Sequence, residues 1–337
     1  MAIKRIGTQT IKFVNPPLLI STASIVGPKE GEGPLGEYFD KVLSDDLFQE
    51  VSWEKAESKM TKEAISLATN KAQLKIPDIQ YLLGGDLLNQ LIATTYAARD
   101  LQIPFLGLYG ACSTMAESLA LGGILIDGGF ADRVVAATSS HFSSAERQFR
   151  FPLELGNQRP LTAQWTVTGA GAVILSEKGK GPTITHVTTG KVLDYGIADA
   201  SNMGAAMAPA AASTIVSHFS DTGFKPEDYD LIITGDLGIY GGEIAIELVR
   251  NRGLDIMKNY SDCGIEIFNG KKQDTHAGGS GCGCSAVVFC GYLYKKLVEK
   301  KYRKILLVST GALFSPLSLQ QGESIPSIAH AVTIECN

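Results

Sequence analysis

The chain carries six cysteines, and one of them has the setting of a nucleophile. Pro104 to Met115 reads as an apolar strand running into Gly110-Ala111, then Cys112, then a helix pattern with Leu119, Ala120 and Leu121. A cysteine at a strand-to-helix turn stands at a helix N-terminus, where the macrodipole favours the thiolate and predicts a lowered pKa. The alternative is a buried thiol packed as a small hydrophobe. The Gly-Ala-Cys-Ser context in a duplicated chain favours a site. Cys282-Gly-Cys284 lacks a second ligand pair at zinc-like spacing, so it is read as two small buried residues in a Gly-rich turn rather than a metal site. No CxxC pair is present, and all six are expected to be thiols in a reducing compartment.

A strand must deliver Cys112 and a helix must follow it. Short apolar runs at Leu18 to Ala23, Ile79 to Leu83, Arg133 to Thr138, Ala170 to Leu175, Leu231 to Thr234 and Lys304 to Ser309 predict strands, several of them continuous, as strands buried on both faces are. Thr61 to Gln73, Thr114 to Asp127 and Ser285 to Lys300 carry helix patterns. The layout is α/β. It is also used twice. At a constant spacing, Cys112, Ser113, Leu121, Thr138, Phe142 and Ser143 meet Cys284, Ser285, Leu293, Thr310, Phe314 and Ser315. At a second spacing, Lys75, Asp78, Gly85 and Asp86 meet Lys225, Asp228, Gly235 and Asp236. This is an internal duplication, with an insertion between Leu237 and Cys284. It predicts an N-terminal half over 1–178 and a C-terminal half over 179–337, related by a pseudo-two-fold and joined without a linker into one body.

Composition narrows the function classes. The 337 residues carry a formal net charge of −5, and no basic stretch alternates with aromatics, so nucleic-acid binding has no support. No apolar run approaches the ~20 residues of a membrane span, and no apolar region follows Lys4 and Arg5 as in a signal peptide. A soluble protein of a cytosol-like compartment is expected.

Ala111-Cys-Ser-Thr-Met115, the Gly-rich strand Val167 to Leu175 and the helix Met203 to Ala211, in this order, resemble the thiolase superfamily, and β-ketoacyl-acyl-carrier-protein synthase III in particular. The resemblance covers nearly the whole chain. It implies the thiolase fold, layered α-β-α-β-α, in which a cysteine works with a histidine and an asparagine, or with a histidine and a second cysteine. The synthase histidine follows the strand written here Leu231 to Leu237, where Gly235 and Asp236 stand instead. His276 resembles the thiolase Gly-His-Pro histidine with a spacing one residue short. The synthase asparagine is absent, and no cysteine stands near Ser309 to Ala312. A pocket that keeps its nucleophile position and loses its partners points to ligand binding without catalysis. The competing expectation is an acyl-CoA- or acyl-carrier-protein-dependent condensing or acyl-transfer enzyme using Cys112 with His276.

The segments Ser139 to Pro152 and Asn157 to Thr166, with the Gly-Asp-Leu and His-Ala-Gly-Gly-Ser-Gly stretches, resemble the stage V sporulation protein AD family of endospore-forming bacteria. That resemblance implies a component at the spore inner membrane that binds dipicolinic acid and moves it, with calcium, into the spore. Its partners would be membrane-embedded proteins of the same complex. No cofactor is implied. Dipicolinate is a flat pyridine with two carboxylates, and arginine forks suit carboxylates. Arg147, Arg150 and Arg159 are therefore candidates, or they make surface pairs with Glu146 and Glu154. His276 and Cys112 are further candidates. His141 either donates to a carboxylate or is packed and hydrogen-bonded. Asp236 either meets the ligand or, like its twin Asp86, caps the next helix. Relatives with this fold dimerise, which predicts a homodimer through a strand near the segment Val134 to Ser139, extending the sheet across a two-fold axis.

Overall fold

The computed structural model describes residues 3–149 and 159–336. Ten strands form its main sheet path: β1 (Leu18–Val26), β2 (Tyr81–Gly85), β3 (Phe105–Gly107), β4 (Arg133–Ser140), β5 (Gly169–Ser176), β6 (Thr183–Thr188), β7 (Leu231–Thr234), β8 (Tyr260–Asp262), β9 (Lys304–Ala312) and β10 (Ser327–Glu335). Their spatial order is β8-β7-β9-β10-β6-β1-β5-β4-β2-β3. Outward from β1, successive pairings are antiparallel, antiparallel, parallel and parallel. Outward from β6 the same sequence recurs. The two sets meet only at Thr183 opposite Leu18. The repeat extends to detail: Lys75 N donates to Asp78 Oδ2, and Lys225 N to Asp228 Oδ2, each at 2.8 Å.

The helices make three layers around these sheets. α1 (Trp53–Lys71) and α2 (Ile92–Leu101) cover the outer face of the first half. α3 (Thr114–Asp127) lies between the halves and packs on β4 and β2 of one and on β9 and β10 of the other. After α4 (Phe142–Phe149), α5 (Met203–Thr222) and α6 (Gly238–Arg250) cover the second half, and α7 (Cys282–Val288) joins α3 in the middle layer. Buried on both sides, α3 has little polar face to spare: Met115 and Leu119 are fully enclosed. Each such side chain stabilises the fold by roughly 1.5–3 kcal/mol. The thiolase-fold layering α-β-α-β-α read from the sequence is the architecture observed.

The six strands expected from apolar runs are present, most of them longer than expected. The strand expected ahead of Gly110-Ala111 is β3, while β6, β8 and β10 were not anticipated. The helix after Cys282 passes through a π turn at Phe289–Leu293 before continuing as Tyr294–Val298. Val134 to Ser139 lies inside the sheet, bonded to β2 on one side and β5 on the other, and has no free edge to offer a second copy. The outermost strand of the first half is β3, whose Leu106 is 41% exposed.

Candidate functional site

Cys112 stands where the halves face each other. The turn that carries it leaves β3, and Gly110 O accepts both the backbone N–H and the hydroxyl of Ser113, at 3.1 and 2.6 Å. Ala111 is held at φ +49°, and its carbonyl accepts from Thr114 Oγ1 at 2.6 Å and Cys282 Sγ at 3.0 Å. Left-handed backbone at a residue with a Cβ is a strained arrangement that surrounding contacts must hold in place. The second half supplies some of them through Gly311, where a Cβ would lie 2.2 Å from Gly110 O.

Across from Cys112 is Asp236, at the end of β7, only 1% exposed. Four groups converge on its carboxylate. Thr310 Oγ1 donates to Oδ1 at 2.6 Å, while Ser280 Oγ and Gly281 N each donate to Oδ2 at 3.0 Å. The fourth is the Cys112 thiol. Gln164 Nε2 fixes the backbone here by donating to Asp236 O at 2.6 Å. Burial first, and then the charge of Asp236, push the Cys112 thiol well above its ordinary range. The expected lowering by the helix dipole is therefore reversed. A dipole effect of about 1 kcal/mol is outweighed by enclosure next to a carboxylate. Burial also raises Asp236, and its donors only partly offset that. The resulting arrangement is a protonated thiol donating to a carboxylate, the opposite of an activated nucleophile.

Asp236 does not cap the next helix. That task falls to Asp262, whose carboxylate accepts from Leu237 N at 2.8 Å and Gly238 N at 3.0 Å. The twin Asp86 does hold its local turn, through Leu88 N at 2.9 Å and Thr94 N at 2.7 Å. Duplication thus preserved the residue while its role diverged.

Cys112 opens onto a cavity of about 50 Å³, or about 500 Å³ with its mouth included. Leu87, Tyr109, Phe149, Met203, Met207, Ala312 and Phe314 make it apolar, and Glu146, Thr166 and Ser280 are its polar members. No cation lines it. Glu146 is buried, and its Oε1 accepts from Thr166 Oγ1 at 3.3 Å.

The remaining candidates lie elsewhere. His276 is held at φ +51° with Nδ1 2.8 Å from Pro160 O and Nε2 2.9 Å from Asp274 Oδ1, and it does not line the cavity. Cys112 and His276 are not brought together as a catalytic pair. Arg159 donates to the same Asp274, at 2.9 Å to Oδ2. Arg147 pairs with Glu54, not with Glu146, and its guanidinium lies 5.2 Å from the Trp53 ring centre. Arg150 lies outside the described residues. His141 is fully buried: Ser143 N donates to its Nδ1 at 3.1 Å, so Nε2 carries the proton and donates to Asp46 O at 2.7 Å. Both nitrogens are used internally, which leaves none for a ligand. Sequence reasoning missed Thr310, Ser280, Glu146 and the aromatic wall. Thr310 had a signal, since it is the repeat partner of Thr138, whose hydroxyl donates to Cys282 O at 3.0 Å.

Another buried carboxylate sits close by. Glu30 is enclosed and accepts from Thr168 N at 2.9 Å, yet burial raises its pKa to about 7. Its unfolded value is near 4.5, so the unfolded chain releases this proton first. Stability contributed through this group therefore falls as pH rises from about 4.5 through about 7. Glu30→Gln should match the wild type in urea unfolding at pH 4.5 and exceed it at pH 8, by on the order of 3 kcal/mol.

The model of the family "Stage V sporulation protein AD (SpoVAD)" matches residues 7–335. The chain belongs to the stage V sporulation protein AD family. It is 48% identical to stage V sporulation protein AD of Bacillus subtilis (strain 168) over 333 residues, which is 99% of this chain and 98% of that protein. Among solved structures it resembles 3-oxoacyl-[acyl-carrier-protein] synthase III from Aquifex aeolicus VF5, with a TM-score of 0.57 at 14% identity, covering 95% of this chain and 99% of that one. It also resembles Xanthomonas campestris OleA bound with cerulenin, with a TM-score of 0.61 at 15% identity, covering 96% and 97%. At such identities these two structures bear on the fold alone. Among the described residues no helix is long and apolar enough to cross a membrane, and no group of three or more His, Cys, Asp or Glu is placed to hold a metal ion.

Proposed function

We propose that this protein is a non-catalytic, dipicolinic acid-binding component of the spore inner-membrane machinery that loads dipicolinate, with calcium, during sporulation. The observation that carries this reading is the thiol of Cys112 facing the buried carboxylate of Asp236 at the floor of an apolar cavity. The chemistry of a condensing enzyme needs a thiolate and donors aimed at a developing oxyanion. Here a carboxylate faces the thiol, and an oxyanion formed at Cys112 would be repelled. Membership of the sporulation family supports the biological setting.

The electrostatics also bear on the form of the ligand. A free dianion entering the cavity would meet the negative charge of Asp236 behind Cys112. Chelated by calcium, dipicolinate carries no net charge, and its flat ring suits walls such as Phe149 and Phe314. Calcium is thus cargo that arrives with the ligand. Membrane-embedded proteins of the same complex would supply the translocation path and hold this chain peripherally at the inner membrane. A homodimer, if formed by sheet extension, would use β3, which carries the exposed Leu106 and leads to Tyr109 at the cavity mouth.

Calorimetric titration tests this reading. Saturable binding of dipicolinate is expected, and at least about tenfold tighter with equimolar calcium. Absence of binding in both forms would remove it.

A further inference from the structure

The cavity at Cys112 has a neighbour on the far side of a thin wall. Trp165–Thr166 and Gly279–Ser280 form a two-stranded parallel ladder, with Trp165 opposite Gly279 and Thr166 opposite Ser280. Successive residues of a strand face opposite sides. Thr166 and Ser280 line the Cys112 cavity, whereas Trp165 lines a separate groove of about 270 Å³.

Two cations converge on Trp165. Lys29 Nζ lies 4.0 Å from the ring centre and the Arg159 guanidinium carbon 4.9 Å, while Phe142 stacks on the indole at 3.7 Å. Like charges placed this close repel each other unless an anion joins them. The one acid on Arg159 among the described residues, Asp274, is 76% exposed and shared with His276. Lys29 has no ion-pair partner among the described residues, and Arg159 Nη1 is enclosed without a hydrogen-bond partner. Burial and the nearby Arg159 charge both hold the Lys29 ammonium below its ordinary pKa. The cluster therefore keeps unused donors, the Lys29 ammonium without an ion pair among the described residues and Arg159 Nη1.

We propose that Lys29, Arg159 and Trp165 form a binding site for a single oxyanion group, a carboxylate or a phosphate, distinct from the Cys112 cavity. Lys29 supplies a mobile point charge and Arg159 a fixed fork, with Trp165 as their common platform. The same groove is also lined by Glu30, Asp45 and Asp46, so the site takes a single anionic group and disfavours a dense polyanion. This inference does not depend on dipicolinate occupying the cavity.

The chain has two tryptophans, so Trp53→Phe leaves Trp165 as the sole reporter. Its emission is followed during titration with inorganic phosphate and, separately, with phthalate, at constant ionic strength. A saturable change is expected. A response to phosphate alone assigns a phosphate ligand, and a response to phthalate alone a carboxylate one. Lys29→Ala should weaken the response about tenfold, and Lys29→Arg should retain it. Ala312→Phe, on the cavity side of the wall, should leave it unchanged. No saturable change with either anion, or an identical midpoint in Lys29→Ala, would overturn the proposal. Loss of this response with intact binding of calcium dipicolinate would count against this site only.

Discussion

Ala312→Phe is expected to lower affinity for calcium dipicolinate by at least about 100-fold, or ~2.7 kcal/mol. Ala312 ends β9 and lines the Cys112 cavity from a half-exposed position. A phenyl ring added there projects into the space beside Cys112 that a ligand would need. Because the ring enters from the rim and not from the packed core, unfolding should shift by less than about 1.5 kcal/mol. Urea denaturation beside the titration separates the two effects. Unchanged affinity in a folded variant would place the ligand outside this cavity.

The second large effect concerns Asp236. In Asp236→Asn the negative charge facing Cys112 is gone, and the thiol should fall towards its ordinary range. One pKa unit is a tenfold change in thiolate. Alkylation of Cys112 by iodoacetamide at pH 8, followed site by site by peptide mass, should therefore accelerate at least about tenfold. Cys263, Cys282, Cys284 and Cys290 are buried and serve as internal controls. A cost accompanies the change, because the amide cannot accept from Thr310, Ser280 and Gly281 as the carboxylate does. That cost is about 1–3 kcal/mol of stability. Equal alkylation rates in the two proteins would mean that burial alone silences the thiol.

Much of this was legible in the sequence, for identifiable reasons. Strands buried on both faces announce themselves as apolar runs, which is how β1, β4, β5 and β9 were found. β8 escaped notice because it has three residues and lies at a sheet edge, where no apolar run is needed. Cys112 was visible through its turn, and Asp236 through its place after β7. The direction of a side chain was not visible. His276 sits in the Gly-rich stretch that suggested a site, but its left-handed backbone turns the ring to Asp274 and Pro160. The arginines suggested carboxylate forks, yet Arg147 and Arg159 are drawn to Glu54 and Asp274, acids 93 and 115 positions away. The first pairing depends on how α4 packs on α1 and the second on how the two halves dock, and local pattern encodes neither. The reversal of the Cys112 pKa has the same origin, since the carboxylate responsible comes from the other half.

The claim that most needs testing is that this scaffold keeps a nucleophile position without using it. Intact mass of the wild-type protein after incubation with excess acyl-CoA at pH 8 tests it directly. The predicted result is the unmodified mass, with calcium dipicolinate still bound by the same preparation. An acyl adduct that maps to Cys112 would contradict the account and make this chain a working acyl-transfer enzyme.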